Sequence, residues 1–146
     1  MLTIRKADSS VASAVAMLAQ QLWPHHETAQ LQEEFEPLLA DANAAVFLAF
    51  SDEEVAGFAQ CQLRNDYVEG TSSSPVGYLE GIFVTPAYQK QGIARALLAA
   101  CENWAKQSGC SEFASDCELD NRDSLLFHLN VGFEEANRII CFTKKL

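Results

Sequence analysis

Along the first forty residues the apolar positions recur at the spacing of helices, and from Ala45 onward they follow the spacing of strands. Leu2 to Ile4 predicts a short strand. Val11, Val15, Leu18 and Leu22 then line one face of a helix from about Ser9, with Asp8 or Ser9 as its cap. Trp23-Pro24-His25-His26 breaks that helix, because a proline disfavours helical geometry in the residue before it. A second helical stretch from near Thr28 carries Leu31, Phe35, Leu38 and Leu39 on one side. Pro37 inside it leaves open one kinked helix or two short ones.

Ala45 to Phe50 is a continuous apolar run and Ser51 to Glu54 a turn. Ala59, Cys61 and Leu63 then alternate with Gln60, Gln62 and Arg64, so the spacing predicts a hairpin. A polar, Ser-rich loop over Asn65 to Gly77 leads into a strand, Tyr78 to Val84, ended by Thr85-Pro86. The next helix carries Ile93, Leu97, Leu98, Cys101, Trp104 and Ala105 on its buried stripe, with Gly109 as C-cap. Glu112 to Cys117 reads as a strand, and Ser124 to Leu129 as a helix capped by Asp120 or Asn121. Phe133 and Ile139 to Phe142 read as terminal strands. This β-α-α-β-β-β-α-β-α-β-β order predicts an α/β (α+β) fold, one mixed sheet with helices on both faces in a single domain spanning 1–146.

Charge and cysteine usage narrow the function. The formal net charge is −10, from 20 acidic against 10 basic residues, which disfavours a nucleic-acid partner and favours a cationic one. An acidic surface serves solubility equally well until carboxylates converge on one cleft. No run approaches the roughly 20 apolar residues of a membrane span. Val11 to Ala19 reads as an amphipathic helix rather than a signal segment. The five cysteines form no C-x-x-C pair and have no histidine at metal-ligand spacing, so they are expected to be reduced and buried in a cytoplasmic protein that uses no metal.

The most informative stretch is Phe83-Val84-Thr85-Pro86-Ala87-Tyr88-Gln89-Lys90-Gln91-Gly92-Ile93-Ala94-Arg95, where a strand ends and a helix begins across a loop holding Gly92 and Ala94. Free amides at a helix start suit a diphosphate, and small side chains leave those amides accessible. This stretch resembles the Q/R-x-x-G-x-G/A motif of the GNAT acetyltransferases, here Gln89-x-x-Gly92-x-Ala94. Asn121-x-x-Ser124-x-x-Phe127-His128-x-x-x-Gly132-Phe133 is similar to the second block of that family. The resemblance implies a GNAT-type acyltransferase fold, a mostly antiparallel sheet splayed between two strands, with acetyl-CoA as cosubstrate. It assigns Ile82, Phe83 and Val84 to the pantetheine, with an amide near Phe83 or Val84 polarising the thioester. Gln89, Lys90, Gln91, Gly92, Ile93, Ala94 and Arg95 fall to the pyrophosphate, and Asn121 to the pantetheine arm. Gln89 stands where Arg is more frequent, and His128 where the family commonly has the Tyr that acts as acid.

At closer range the chain resembles the aminoglycoside 6′-N-acetyltransferases. The residues that carry this are Leu22-Trp23-Pro24 with His26, Arg64 to Gly70, Ser73 to Val76, Leu79-Glu80-Gly81-Ile82-Phe83-Val84 and Ala114-Ser115-Asp116. The resemblance implies an aminoglycoside acceptor, acetylated at the 6′-amine with resistance as the outcome. Trp23, His26 and Tyr67 would line the acceptor pocket, Glu80 and Asp116 would hold its ammonium, and His128 or solvent would protonate the departing thiolate. Asn137 occupies the place of a substrate-contacting Glu, and a homodimer is expected. Glu80 in an apolar strand demands a partner, and an internal salt bridge is the alternative to a substrate-facing role. Acetylation of a polyamine, a metabolite amine or a protein N-terminus, and a non-catalytic acyl-CoA-binding module, are the competing functions.

Overall fold

The apolar run that opens the sheet is continuous because both of its faces are covered. In the computed structural model, which describes residues 1–146, β2 (Ala44–Ser51) sends Val46 and Leu48 to one face and Ala45 and Ala49 to the other. It turns at Asp52, in the left-handed region at φ 55°, into its antiparallel partner β3 (Glu54–Arg64). β1 (Leu2–Lys6) pairs with the outer edge of β2, and β4 (Val76–Val84) pairs antiparallel with β3. β5 (Phe113–Ala114) joins β4 in parallel, giving the order β1-β2-β3-β4-β5.

On the first face lie α1 (Ala12–Leu22) and α2 (Thr28–Ala40). Val15, Ala16, Leu18, Leu31 and Phe35 meet Val46, Leu48 and Phe58 there. A 3-10 turn over Ser9–Val11 precedes α1, and Asp8 caps it by accepting from the Ser10 amide. Pro37 remains inside α2, so the stretch from Thr28 is one helix. α3 (Ile93–Gln107) covers the opposite face, burying Leu97, Leu98, Cys101 and Trp104. Its C-cap is Ser108, with Gly109 one position beyond at φ 92°. α4 (Arg122–Asn130) is capped by Asn121, whose side chain accepts from the Ser124 amide. No helix is long and apolar enough to cross a membrane.

Three expectations are corrected. The strand expected over Glu112 to Cys117 keeps only Phe113 and Ala114, because β4 offers it just two paired positions. The terminal strands do not form: residues 131–146 are without helix or strand, and Ile139, Ile140 and Phe142 stand exposed. A strand needs a partner edge to satisfy its amides and carbonyls, and no such edge within the chain receives this segment. Of the five free cysteines, Cys61, Cys101 and Cys110 are buried, but Cys117 and Cys141 are exposed.

Candidate active site

β3 accompanies β4 from Val76 to Val84, whereas β5 does so only at Gly77↔Phe113 and Tyr78↔Ala114. Beyond that point the two strands part. Just past it the Ser115 hydroxyl lies 3.4 Å from the Leu79 carbonyl. Beyond Tyr78 the outer edge of β4 therefore has no strand beside it, and an extended molecule can lie against the backbone groups of Ile82 and the amide of Val84, which are left free there.

A register shift aims the acidic residue of this strand. Gln60 pairs with Gly81 and Cys61 with Leu79, so Glu80 is the extra residue of a β-bulge. Its carboxylate accepts from Arg64 at the end of β3: Nε reaches Oε1 at 3.0 Å, while one terminal nitrogen reaches Oε1 at 2.8 Å and Oε2 at 2.9 Å. The internal salt bridge thus forms, yet Glu80 retains 19% side-chain exposure. The Arg64 guanidinium sits over the Tyr78 ring, with Cζ 3.5 Å from its centroid. Tyr78 in turn donates its hydroxyl to Asp116. Burial, followed by this hydrogen bond to a carboxylate, pushes the Tyr78 phenol well above its ordinary range, so it stays protonated as the donor. Asp116 lies two residues past the end of β5 rather than within a strand. The opening nevertheless has Glu80 and Asp116 on its two sides, joined through Arg64 and Tyr78.

His128 reaches the same region from α4. Its Nδ1 lies 2.6 Å from the Ser124 carbonyl, which can only accept, so that nitrogen carries the proton. Nε2 lies 2.8 Å from the Ser115 hydroxyl. In the neutral ring Nε2 is consequently an acceptor with Ser115 as its donor. Ser115 thus stands between the imidazole and the Leu79 carbonyl of β4.

At the other end of β4 the loop to α3 bonds its Tyr88 and Gln89 amides internally, and the amides left open are those at the start of α3. The Gln89 side chain, on the exposed loop, folds back and donates from Nε2 to the Val84 carbonyl at 3.0 Å. Gly92 is the N-cap of α3 at φ 81°, and a Cβ built on it meets nothing within 4 Å. The amides of Ile93, Ala94 and Arg95 precede the first intrahelical bond, from the Ala96 amide to the Gly92 carbonyl. A diphosphate fits here: the donors are unused, the helix dipole favours an anion and the space over Gly92 is clear. Asn121 uses Oδ1 for capping, which leaves its amide nitrogen for a ligand.

Trp23 packs against the bulge, close enough that a Cβ on Gly81 would stand 2.7 Å from its ring, and it meets Phe58 edge-on at 6.3 Å. With His26, Glu34, Phe35, Leu38 and Gln60 it lines a hollow of about 210 Å³. Tyr67 is 77% exposed and donates to Glu69 at 3.2 Å, and Asn137 donates to the same carboxylate at 3.1 Å. Glu69 thus joins two residues singled out from the sequence. Neither Glu69 nor Arg64, Tyr78 or Ser115 was singled out as a site residue from the sequence, and each contacts a residue that was. Arg64 opens one of the segments that carry the resemblance and follows Gln60 and Gln62 on the polar parity of its strand, but that parity equally describes a solvent-facing row.

Fold and site together define an acyl-CoA-dependent N-acyltransferase. Residues 12–133 match the acetyltransferase (GNAT) family, and the chain belongs to it. It is 46% identical over 145 residues to the aminoglycoside N(6′)-acetyltransferase type 1 of Stenotrophomonas maltophilia, covering 99% of this chain and 94% of that relative. Among solved structures, AAC(6′)-Iy bound to the bisubstrate analogue CoA-S-monomethyl-acetylneamine superposes with a TM-score of 0.95 at 38% identity, over 100% of this chain and 99% of the other. The same enzyme with CoA gives 0.96 at 38% identity, over 100% and 96%.

Proposed function

We propose that this chain acetylates the 6′-amino group of aminoglycosides at the expense of acetyl-CoA, by direct transfer in a ternary complex, and so confers resistance. The observation that carries this reading is the pair of carboxylates, Glu80 and Asp116, on the two sides of an opening shaped for acyl-CoA. A polycationic acceptor is drawn to such a pair and held with one amine toward the thioester. The names of the relatives support the same acceptor.

In this mechanism Glu80, directly or through a water, takes a proton from the acceptor ammonium. An amide of Phe83 or Val84 donates to the thioester oxygen as negative charge gathers there. Ile82, Phe83 and Val84 hold the pantetheine with their backbone groups, the amides from Gly92 to Arg95 hold the diphosphate, and Asn121 steadies the arm. In its doubly protonated form His128 carries a proton on Nε2 and passes it to the Ser115 hydroxyl as that hydroxyl gives its own to the sulfur; solvent is the alternative source. Trp23 and His26 form one wall for the sugar rings, and Tyr67 and Asn137, gathered on Glu69, form the other.

The whole of 1–146 acts as one catalytic domain. A homodimer fits the bare apolar side chains of Ile139, Ile140 and Phe142, which a second copy's strand edge would cover. Five unpaired thiols suit the reducing cytoplasm.

The test is release of thiol from acetyl-CoA by the purified protein with kanamycin, tobramycin, spermidine and a peptide amine. Turnover with the two drugs supports the reading. Turnover with spermidine or peptide alone replaces the acceptor, and CoA-dependent stabilisation without turnover makes the chain a binding module.

A further inference from the structure

Arg64 brings a permanent positive charge into a site that must receive another. Its guanidinium spends three hydrogen bonds on Glu80, two on Oε1 and one on Oε2, and sits over the Tyr78 ring. A carboxylate offers about four lone-pair directions, so this grip leaves one, on Oε2. That remaining direction is the one through which Glu80 can meet an ammonium or a water without losing its partner. Tyr78 carries the constraint on to Asp116.

Stability alone is a weak reason for the arrangement. Arg64 is 38% exposed, and ion pairs in that range contribute little to folding. A residue required only for charge balance needs no fork and no stacking face, yet this one uses both, and a lysine has neither.

We propose that Arg64 is a positioning residue of the acceptor site. Clamped between the Glu80 carboxylate and the ring of Tyr78, it holds Glu80 with a single acceptor direction free for the amine and, through Tyr78, keeps Asp116 in register across the split. The inference rests on Glu80 being the carboxylate that meets the acceptor.

The experiment compares R64Q, R64K, Y78F, E80Q and the double variant R64Q/E80Q by thiol release, with melting temperature and the acetyl-CoA KM measured in parallel. A positioning role predicts that R64Q lowers kcat by about tenfold or more while the KM values for both substrates change less than about threefold. R64K restores the charge without the fork and stays at least about threefold below the natural protein. Y78F keeps the ring under Arg64 but frees Asp116, and also lowers kcat. Removing Arg64 costs less in the E80Q background than in the natural protein, because the part of its role that runs through Glu80 is already gone.

An R64Q with kcat within about twofold of the natural protein overturns the inference, and so does one whose acceptor KM falls at unchanged kcat, the mark of a cation that the acceptor displaces. Full recovery in R64K overturns it as well, and that comparison decides the matter if R64Q does not fold. An E80Q of full activity removes the reading of Glu80 itself. An impaired E80Q beside an unimpaired R64Q removes only the role of Arg64.

Discussion

The phenol of Tyr78 donates to the carboxylate of Asp116, 38 positions away in sequence, from the last residue of β4 that β5 pairs. The hydrogen bond closes the narrow end of the opening at the point where the strands separate. It also ties the proposed ammonium-binding groups to the paired, rigid part of the sheet, so their geometry follows that of the backbone.

This bond makes part of the stability alkaline-sensitive. Burial, the bond itself and the nearby charge of Asp116 raise the folded-state value of Tyr78 above its ordinary 10.0. A group raised on folding contributes fully below its unfolded value and loses that contribution as pH rises through the folded one. Stability to urea should therefore decline above about pH 10, and Y78F should flatten the decline and remove one high-pH step from the near-ultraviolet tyrosine titration. An unchanged alkaline profile in Y78F would contradict the assignment.

Glu112 sets a limit at the other end of the scale. The Ser73 hydroxyl, then the Ser72 amide, lower its carboxyl below the ordinary range and pin the 65–75 loop beside β5. For a depressed value the contribution is present above about 4.5 and fades as pH falls through the folded value. Amide exchange in residues 71–74 should speed up in E112Q at neutral pH, and in the natural protein only in acid.

Gly92 separates cofactor binding from folding. At φ 81° an alanine is strained, at a cost of about 1 kcal/mol, but its Cβ meets no atom of the protein. G92A should melt a few degrees lower and raise the acetyl-CoA KM by about tenfold, while the acceptor KM stays the same. Equal effects on both substrates would remove Gly92 from the diphosphate seat.

At Gly81 the obstruction is a side chain. A Cβ there stands 2.7 and 2.8 Å from two atoms of the Trp23 ring, so the indole must move. G81A should destabilise by about 1–3 kcal/mol and lower kcat/KM for the acceptor. Trp23 fluorescence, followed in a W104F background, reports the displacement; an unmoved spectrum with intact acceptor kinetics would count against a wall at Trp23.

Association is checked at the C-terminal segment. Aspartate at Ile139 and Ile140, both exposed, should leave the monomer folded and prevent the proposed dimer in sedimentation velocity. A natural protein that already sediments as a monomer would refute the homodimer.

Local periodicity determined most of the scaffold. The helices with Leu18, Leu31 and Leu97 on their inner faces and the hairpin of β2 and β3 follow from spacing alone, since an apolar stripe has only one way to be buried. The loop-to-helix junction at Gly92 and Ala94 was legible for the same reason, its residues being contiguous in sequence, whereas a diphosphate there is what the family resemblance implies. Tertiary structure alone decided the carboxylate cluster. Whether Glu80 faces solvent or a partner depends on a bulge set by pairing with Cys61 and Gln60, and its partnership with Arg64 spans two strands. The length of β5 and the fate of the last sixteen residues likewise depend on which edges lie beside them. Hydrogen bonding between strands is a property of neighbours, and neighbours are not written in any single segment.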